Sequence, residues 1–410
     1  MNRVLPIDDH NIPGIASIEN LLTFGVAMGI LYISIDLYGF GQTTNYVRFA
    51  TFGLSSIAIA LASIVAFTRR GANADLLSVA AILYFICAGA RDVLASYAPG
   101  VILNLLGAAL SLASTKADLH RMLSGFRRWF LVVIIAVLLP AFFGQGFRAG
   151  REWFGIFPGR YFGFSNPDGL GFMAGIGALL SIPVLRRPQG YALAAVSALL
   201  FVVSAAYTTA IAVGLAITAY FLLTKTKSRQ VLQLLTAMLA AVTIGSLPWI
   251  TTVQGINAFE FLQRQFNLSG REKLWVALLQ QARATGSFMT GWGDQVVGNY
   301  TRAFAAVGSA HMTILQIFLS QGFLMTVLFI AIATMAAIRI LGRIATNPAS
   351  HQRLAIALVV YWFVTSLVST QPGTEMGFAL ILAVAIPRSE TETKESSAHS
   401  RANRLEQSSP

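Results

Sequence analysis

Repeated apolar runs of about 20 residues constrain this chain more than any other feature. A run of that length crosses the hydrocarbon core of a bilayer as a helix. Charged residues make up only 11% of the 410-residue chain, whereas soluble domains carry roughly 25%. The sequence therefore predicts an all-α, polytopic membrane protein.

The apolar runs predict about twelve spans and one long loop between the ninth and tenth. The predicted spans are 18–38, 48–67, 75–94, 98–115, 128–144, 163–184, 190–204, 207–223, 231–250, 313–338, 354–370 and 374–388. The seventh and eighth are nearly fused, which predicts a tight helical hairpin. The predicted parts are a membrane domain over 1–250, the loop over 251–312, a second membrane part over 313–388 and a disordered tail over 389–410.

The net charge of +12 is consistent with two kinds of partner, an anionic polymer or the bilayer itself. The basic residues fall at span ends, which favours the positive-inside bias of a membrane protein over nucleic-acid binding. With the amino terminus in the cytoplasm, every cytoplasmic loop is basic. Both termini are then predicted to be cytoplasmic, and the long loop lies on the other side.

Several kinds of chemistry lack their sequence signals. The single cysteine, Cys87, excludes an intrachain disulfide and a multi-cysteine metal site. We find no internal repeat, no carboxylate-rich metal cage, no P-loop and no G-x-G-x-x-G. We therefore expect neither a metal nor a cofactor, and no ATP-driven transport.

Three arginines crowd the short predicted outer loop at 144–162. They are Arg148, Arg151 and Arg160, with aromatic residues between them. Basic and aromatic side chains at a membrane face suit an anionic headgroup beside an acyl chain, and the planar guanidinium suits phosphate oxygens. The alternative is that these arginines extend to ordinary lipid headgroups.

The sixth predicted span opens with Asn166-Pro167-Asp168. The proline interrupts the backbone pattern before the helix, and an acidic residue near a helix amino terminus interacts favourably with the helix dipole. Asp168 is therefore either a helix-terminal residue or a group that orients an arginine or a sugar hydroxyl.

The long loop contains Ser269-x-x-Glu272, which predicts a capping box. A helix from Arg271 to about Arg283 should follow, with its apolar stripe on Leu274, Trp275, Leu278 and Leu279. Arg271 would lie on the stripe side and would need an anionic partner there. The candidates are Asp36, Asp92, Glu375 and a phosphate.

Two further landmarks follow in the loop. Gly291-Trp292-Gly293 predicts a turn that brings backbone or an indole face close to a flat group such as a sugar ring. His311 lies where the chain re-enters the membrane, and its ordinary pKa allows proton exchange near neutrality. The alternative for His311 is a polar cap.

Together these landmarks resemble the bacterial O-antigen ligase and polymerase superfamily, which are GT-C-type integral-membrane glycosyltransferases. The resemblance covers about residues 130 to 340 and rests on an ordered set of motifs. They are Arg160 to Gly171, Gly270-Arg271-Glu272-Lys273-Leu274-Trp275, Gly291-Trp292-Gly293, His311-Met312 and Ser320-Gln321-Gly322. The hairpin turn reads Ala206-Tyr207-Thr208-Thr209 and lacks the family's arginine, which favours a divergent polymerase with Arg160 or Arg151 in its place.

The resemblance implies a polysaccharide polymerase in the bacterial inner membrane. It would transfer undecaprenyl-diphosphate-linked repeats onto a carrier-linked glycan at the periplasmic face, for exopolysaccharide or O-antigen. The alternatives are an O-antigen ligase that uses lipid A core and, in another class, a polysaccharide or lipid transporter. The implied catalytic residues are His311 as base and Arg271 and Arg160 on the diphosphate; Arg148, Arg151, Asp168, Trp275 and Trp292 would bind substrate.

The resemblance also sets the expected partners. They are the lipid-linked glycan donor, a glycan or lipid acceptor, the bilayer, and other polysaccharide-export proteins, without nucleic acid. A transporter would instead carry ionisable residues at mid-membrane depth or broken helices in matched halves. The charges of this chain cluster at span ends, which favours a transferase.

Overall fold

The structure is a computed structural model that describes most of the chain. The described residues are 17–35, 42–68, 75–94, 96–143, 145–148, 160–161, 167–204, 206–222, 229–250, 252–257, 271–305, 312–346, 350–367 and 375–387. Within these residues the regular structure is helical apart from one pair of two-residue strands. This agrees with the predicted all-α class.

Within the described residues the helices and strands are, in chain order, the following. They are α1 (Ile18–Ser34), α2 (Gln42–Thr68), α3 (Leu76–Leu94), α4 (Ala98–Ser114), α5 (Leu119–Phe142), β1 (Phe147–Arg148), β2 (Arg160–Tyr161), α6 (Pro167–Ser181, extended by a 3₁₀ turn, Ile182–Val184), α7 (Pro188–Ser204), α8 (Tyr207–Leu222), α9 (Arg229–Ile250), α10 (Arg271–Thr285), α11 (Asp294–Ala305), α12 (Thr313–Gln321), α13 (Phe323–Thr346), α14 (Ser350–Ser366) and α15 (Glu375–Ala385).

Short polar side chains start two of the apolar helices. The Ser17 hydroxyl accepts a hydrogen bond from the Asn20 backbone N–H at 3.1 Å before α1. The Asp118 carboxylate accepts one from the Arg121 backbone N–H at 2.9 Å before α5. Each cap satisfies one of the backbone donors that a helix start leaves free. The cap therefore fixes where the polar connection ends and the apolar helix begins.

Long apolar helices with exposed apolar faces indicate a membrane protein. Among the described residues, four stretches are long and apolar enough to cross a bilayer: Tyr46–Phe67, Leu76–Leu94, Leu119–Phe142 and Phe323–Arg343. Six shorter helices are also apolar. On α2, Ile57, Ile64 and Phe67 are 60%, 62% and 83% exposed. Water disfavours such a face, whereas lipid hydrocarbon accommodates it.

The core of the bundle surrounds α1, α6 and α15. Helix α1 packs on α2 and α5, and α15 packs on α4, α1 and α13. Aromatic rings join α13, α14 and α15: the ring centroids of Phe329 and Phe378 are 4.5 Å apart, and those of Trp362 and Phe378 are 5.9 Å apart. The described side chains of α15 are buried, so this short helix lies inside the bundle.

The tenth predicted span, 313–338, is not one helix. It breaks at Gly322, where φ is +86°, into α12 and α13, and α13 continues to Thr346. A Cβ at Gly322 would lie 2.7 Å from the Met289 carbonyl carbon. The apolar pattern did not reveal this break because the glycine is needed for a contact with a distant turn, described below.

The predicted hairpin of the seventh and eighth spans also differs. Helices α7 and α8 do follow one another closely, at Ser204 and Tyr207. Their principal partners are other helices, however, since α7 packs on α6 and α5 while α8 packs on α14 and α6. Packing against the rest of the bundle therefore outweighs packing between these two neighbours.

Candidate functional site

The arginine-rich loop contributes a short antiparallel pair, β1 and β2. Phe147 pairs with Tyr161, and Arg148 pairs with Arg160. The buried Tyr161 hydroxyl donates to the Val137 carbonyl at 2.5 Å, and its ring lies 5.1 Å from that of Phe147. Burial raises the pKa of Tyr161 to about 12, so the hydroxyl keeps its proton at neutral pH. Tyr161 thus anchors the strand pair to α5.

The strand register brings two predicted site residues together. Arg148 and Arg160 are 12 positions apart in sequence but occupy one cross-strand position. Like charges directly opposite each other on two strands are destabilising, unless an anion neutralises them. Arg151, the third predicted arginine of this loop, lies outside the described residues.

Asp168 lies in the first turn of α6, as the sequence predicts. Its side chain is half-buried. In this position the carboxylate interacts favourably with the partial positive charge of the helix amino terminus. The structure therefore supports the helix-terminal interpretation of Asp168, and its substrate-binding role stays a prediction.

Helix α10 begins at Arg271 and carries the predicted apolar stripe on its buried face. The four stripe residues, Leu274, Trp275, Leu278 and Leu279, are at most 7% exposed. The predicted capping residue, Ser269, lies outside the described residues. Trp275 is part of the packed interior of this unit, and its predicted contact with substrate is untested.

The turn Gly291-Trp292-Gly293 is folded against the helix break at Gly322. The Trp292 backbone N–H donates to the Leu319 carbonyl at 2.7 Å, and the Gly293 N–H donates to the Ser320 carbonyl at 2.8 Å. Gly291 has φ of +68°, and a Cβ there would lie 2.6 Å from the Gly322 nitrogen. Two separate stretches of the family-like pattern thus form one junction, which we call the glycine junction (residues 291–293 and 320–322).

Arg91 attaches the glycine junction to the bundle. Its Nη2 donates to the Gly291 carbonyl at 2.6 Å, across 200 positions of sequence. Within the described residues, the Arg91 Nε is buried and has no hydrogen-bond partner. The sequence patterns assigned no role in the site to Arg91. Its position at the end of an apolar span, next to Asp92, was the available signal.

Asp92 faces the interior of the bundle. It is fully buried and accepts a hydrogen bond from the Asn104 side-chain amide at 2.9 Å. It was one of the acidic residues considered as a partner for Arg271. Asp36 lies outside the described residues, and only the backbone position of Glu375, at the start of α15, is described. The side chain of Arg271 lies outside the described part of the structure, so its anionic partner stays a prediction.

Trp292 is held at the edge of the glycine junction. Its indole N–H donates to the Thr285 hydroxyl at 3.0 Å, and its ring centroid is 6.1 Å from that of Tyr300. The side chain is half-buried. One part of the indole is therefore fixed by α10 and α11 while another part remains accessible.

The described residues form two parts of the predicted site. The strand pair contacts α7 and α5, whereas α10, α11 and α12 contact one another, α13 and, through Arg91, α3. His311 lies outside the described residues, immediately before Met312, the residue that precedes α12. The structure thus brings Arg148 to Arg160 and joins the two glycine motifs, but it describes no contact between these two parts.

Comparison with known proteins adds no family assignment. No family model, no curated protein and no solved structure matches this chain.

Proposed function

We propose that this protein is a polysaccharide polymerase of the inner membrane. It transfers undecaprenyl-diphosphate-linked repeats onto a growing carrier-linked glycan at the periplasmic face. In this proposal the chain makes about twelve membrane crossings with both termini in the cytoplasm. Residues 251–312 then face the periplasm together with the β1–β2 pair.

The pairing of Arg148 with Arg160 is the observation that carries the proposal. Two positively charged residues at one cross-strand position repel each other and destabilise the strand pair. A dianionic ligand would offset that repulsion. The pair is anchored through Tyr161 to the end of α5, a helix apolar enough to cross the bilayer. A diphosphate on a lipid tail combines the required charge with the required location.

The proposed reaction is a glycosyl transfer with the diphosphate as leaving group. The acceptor hydroxyl oxygen forms a bond to the anomeric carbon, and the bond from that carbon to the diphosphate oxygen breaks with its electron pair. His311 takes the hydroxyl proton as general base. Arg160 and Arg271 stabilise the negative charge that develops on the diphosphate, with Arg148 and Arg151 in support.

The glycine junction supports the same proposal. Its two stretches are the ones that the resemblance to the ligase and polymerase superfamily singles out. Their backbone hydrogen bonds fix the last turn of α12 against the turn that follows α10. Arg271 begins α10 and His311 precedes α12, so the junction connects the two helices beside which the proposed anion-binding and basic residues lie.

Gene deletion followed by gel analysis of surface glycans tests the proposed function. The polymerase proposal predicts that the deletion strain shows single-repeat products and loses the ladder of longer chains. Loss of lipid A-linked chains with polymer still on the carrier would instead indicate a ligase. Unchanged glycans would contradict both.

Two substitutions test the assigned roles. Arg271→Ala should abolish polymer while the protein remains in the membrane; normal polymer would remove Arg271 from the site. His311→Ala should abolish turnover at neutral pH, and full activity would reduce this histidine to a cap. Membrane abundance, measured by immunoblot, is the control for both.

A further inference from the structure

The last turn of α3 carries two neighbouring charged residues that face different ways. Arg91 reaches the glycine junction, whereas Asp92 is fully buried inside the bundle. Successive positions of a helix are about 100° apart, so one segment of backbone holds both side chains. Burying a carboxylate is costly unless other groups stabilise its charge. The contacts of Asp92 therefore bear on where Arg91 is held.

Two features of α4 stabilise the Asp92 carboxylate. The side-chain amide of Asn104 donates to the Asp92 Oδ2 at 2.9 Å and to the Gly100 carbonyl at 3.0 Å. The carboxylate lies against Gly100 in the first turn of α4, where the helix dipole favours a negative charge. A Cβ at Gly100 would lie 2.8 Å from the Asp92 Cγ, so this glycine leaves room for the contact. Both features hold the end of α3 against α4.

The backbone between α3 and α4 turns at the same place. The Asp92 carbonyl accepts a hydrogen bond from the Tyr97 N–H at 2.8 Å, and the Val93 carbonyl accepts one from the Ser96 N–H at 3.0 Å. Ser96 has φ of +55°, so these bonds form a Schellman motif around a left-handed residue. Glycine usually occupies that position, and another residue keeps the conformation only where the surrounding structure holds it. The side-chain contacts of Asp92 supply such support.

We infer that Asp92 and Asn104 are positioning residues for the glycine junction. They fix the last turn of α3 against α4, and the fixed turn holds the Arg91 guanidinium within reach of the Gly291 carbonyl. The inference rests on the proposed function, because it takes from it the reaction that the junction serves. Replacing a buried polar pair by apolar side chains is often neutral for stability. A role in placing Arg91 accounts for a polar pair at this point of the interior.

Hydrogen exchange of the purified full-length protein tests the inference in a double-mutant cycle. The four proteins are wild type, Arg91→Ala, Asn104→Leu and the combined variant. Asn104→Leu keeps the approximate volume of the side chain but removes its amide donors. It should speed exchange of the Trp292 and Gly293 amides, which donate to carbonyls of α12. We expect a factor of roughly ten, as for loss of the charged hydrogen bond that Arg91 makes.

Non-additivity separates a positioning role from a general loss of stability. If Asn104 acts through Arg91, the combined variant should exchange no faster at these two amides than Arg91→Ala alone. Additive increases would overturn the inference, as would unchanged exchange in Asn104→Leu. The conservative variant Asp92→Asn should keep most of the protection, because its amide oxygen can still accept a hydrogen bond from Asn104.

Ser111→Ala is the matched control. Ser111 is also fully buried on α4, about two turns after Asn104, but its hydroxyl donates to the Gly107 carbonyl of its own helix at 2.8 Å. Its loss should leave exchange at the junction as in wild type. Exchange in α15 reports whether the bundle is intact. If Asn104→Leu also speeds exchange there, Asn104→Ser, whose shorter side chain keeps a donor in the interior, takes its place in the cycle.

The exchange result is independent of the reaction, because exchange needs no turnover. Polymer formation should fall as far in Asn104→Leu as in Arg91→Ala. A non-additive cycle with normal polymer in both variants would show that the contact is not needed for the reaction, which would overturn the positioning role. A non-additive cycle in a protein whose wild type makes no polymer would uphold the link between Asn104 and the junction and contradict the polymerase proposal.

Discussion

Charged side chains make different contacts at the two ends of α3. Immediately before its first turn, Asp75 forms an ion pair with Arg339 of α13. Near its last turn, Arg91 donates to the backbone carbonyl of Gly291. The helix has 19 residues and is about 28 Å long, so these two contacts lie at opposite ends of the bundle. We call them the Asp75 end and the Arg91 end.

At the Asp75 end, arginine side chains connect the ends of neighbouring helices. Besides the Asp75–Arg339 pair, Arg343 Nη1 donates to the Ala385 carbonyl at 2.9 Å. Arg127 Nε donates to the Leu180 carbonyl at 3.1 Å. These guanidinium groups hold the ends of α13, α15, α5 and α6 together. An arginine used in this way has a structural role that needs no ligand.

At the Arg91 end, Arg91 donates to a backbone carbonyl, and the strand register places Arg148 opposite Arg160. Among the described residues, the buried Arg91 Nε has no hydrogen-bond partner. Two arginines at one cross-strand position destabilise the strand pair, whereas their guanidinium groups suit the oxygens of a phosphate. The difference teaches that position in the fold, and not residue type, separates structural arginines from candidate ligand-binding ones.

The largest effect is expected from removing one arginine of the strand pair. Arg160→Ala should reduce polymer formation by about 10²-fold or more, as expected for loss of a group that stabilises developing charge. The control is Arg186→Ala at the Asp75 end, where the side chain is exposed. Polymer is measured per amount of protein in the membrane. Equal losses in both variants would remove the distinction between the two ends.

A glycine pair tests the glycine junction. Gly286→Ala and Gly291→Ala both place a side chain at positive φ, which costs roughly 1–2 kcal/mol. The added Cβ meets open space at Gly286 but backbone atoms of residues 320–322 at Gly291. The melting temperature should therefore fall further for Gly291→Ala, and activity should be lost only there. Matching effects would show that backbone strain, and not the close approach, matters.

Arg91→Ala should loosen the junction. It removes a charged hydrogen bond to the Gly291 carbonyl, which contributes about 1.5–3 kcal/mol in typical cases. We expect faster hydrogen exchange at Trp292 and Gly293, with unchanged exchange in α15. Arg91→Lys should recover part of the protection, since it keeps the charge. Unchanged exchange in Arg91→Ala would show that the backbone bonds alone hold this turn.

The smallest effect concerns the ion pair at the Asp75 end. Burial raises the pKa of Asp75, but hydrogen bonds from Arg339 and Ser78 outweigh it and hold the pKa below its usual range. The stabilisation is therefore present above about pH 4 and is lost as the pH falls through the folded-state pKa. The carboxylate is partly exposed, so solvent and salt limit its size to about 1 kcal/mol or less.

The melting temperature between pH 3 and 6 checks that sign. Wild type should lose slightly more stability than Asp75→Asn as the pH falls, because the variant lacks the titrating group. Asp75→Asn should retain polymer formation, since this pair lies at the opposite end of α3 from Arg91. A loss of activity in this variant would contradict the division between the two ends.

Local patterns predicted the helical class and many helix bounds well. Apolar length located the spans Tyr46–Phe67 and Leu76–Leu94 to within two residues, and the apolar stripe located α10 and its buried face. These features depend on neighbours within a few turns, so composition and periodicity reveal them. The first-turn position of Asp168 follows from the same kind of local signal.

Contacts between distant residues were not predictable from such patterns. The break at Gly322 exists because Gly291 approaches it, and the role of Arg91 exists because α3 ends beside that turn. The partners of α8 likewise depend on the whole bundle. Each of these contacts joins residues far apart in sequence, and no pattern within one segment contains the information.

Binding of undecaprenyl diphosphate to the purified protein tests the central assignment most directly. Native mass spectrometry can compare wild type, the double variant Arg148→Ala/Arg160→Ala and the control Arg186→Ala in one detergent. If the arginines at the Arg91 end bind the diphosphate, the double variant should bind at least tenfold more weakly. The control at the Asp75 end should bind as wild type does. Equal binding by all three would contradict it.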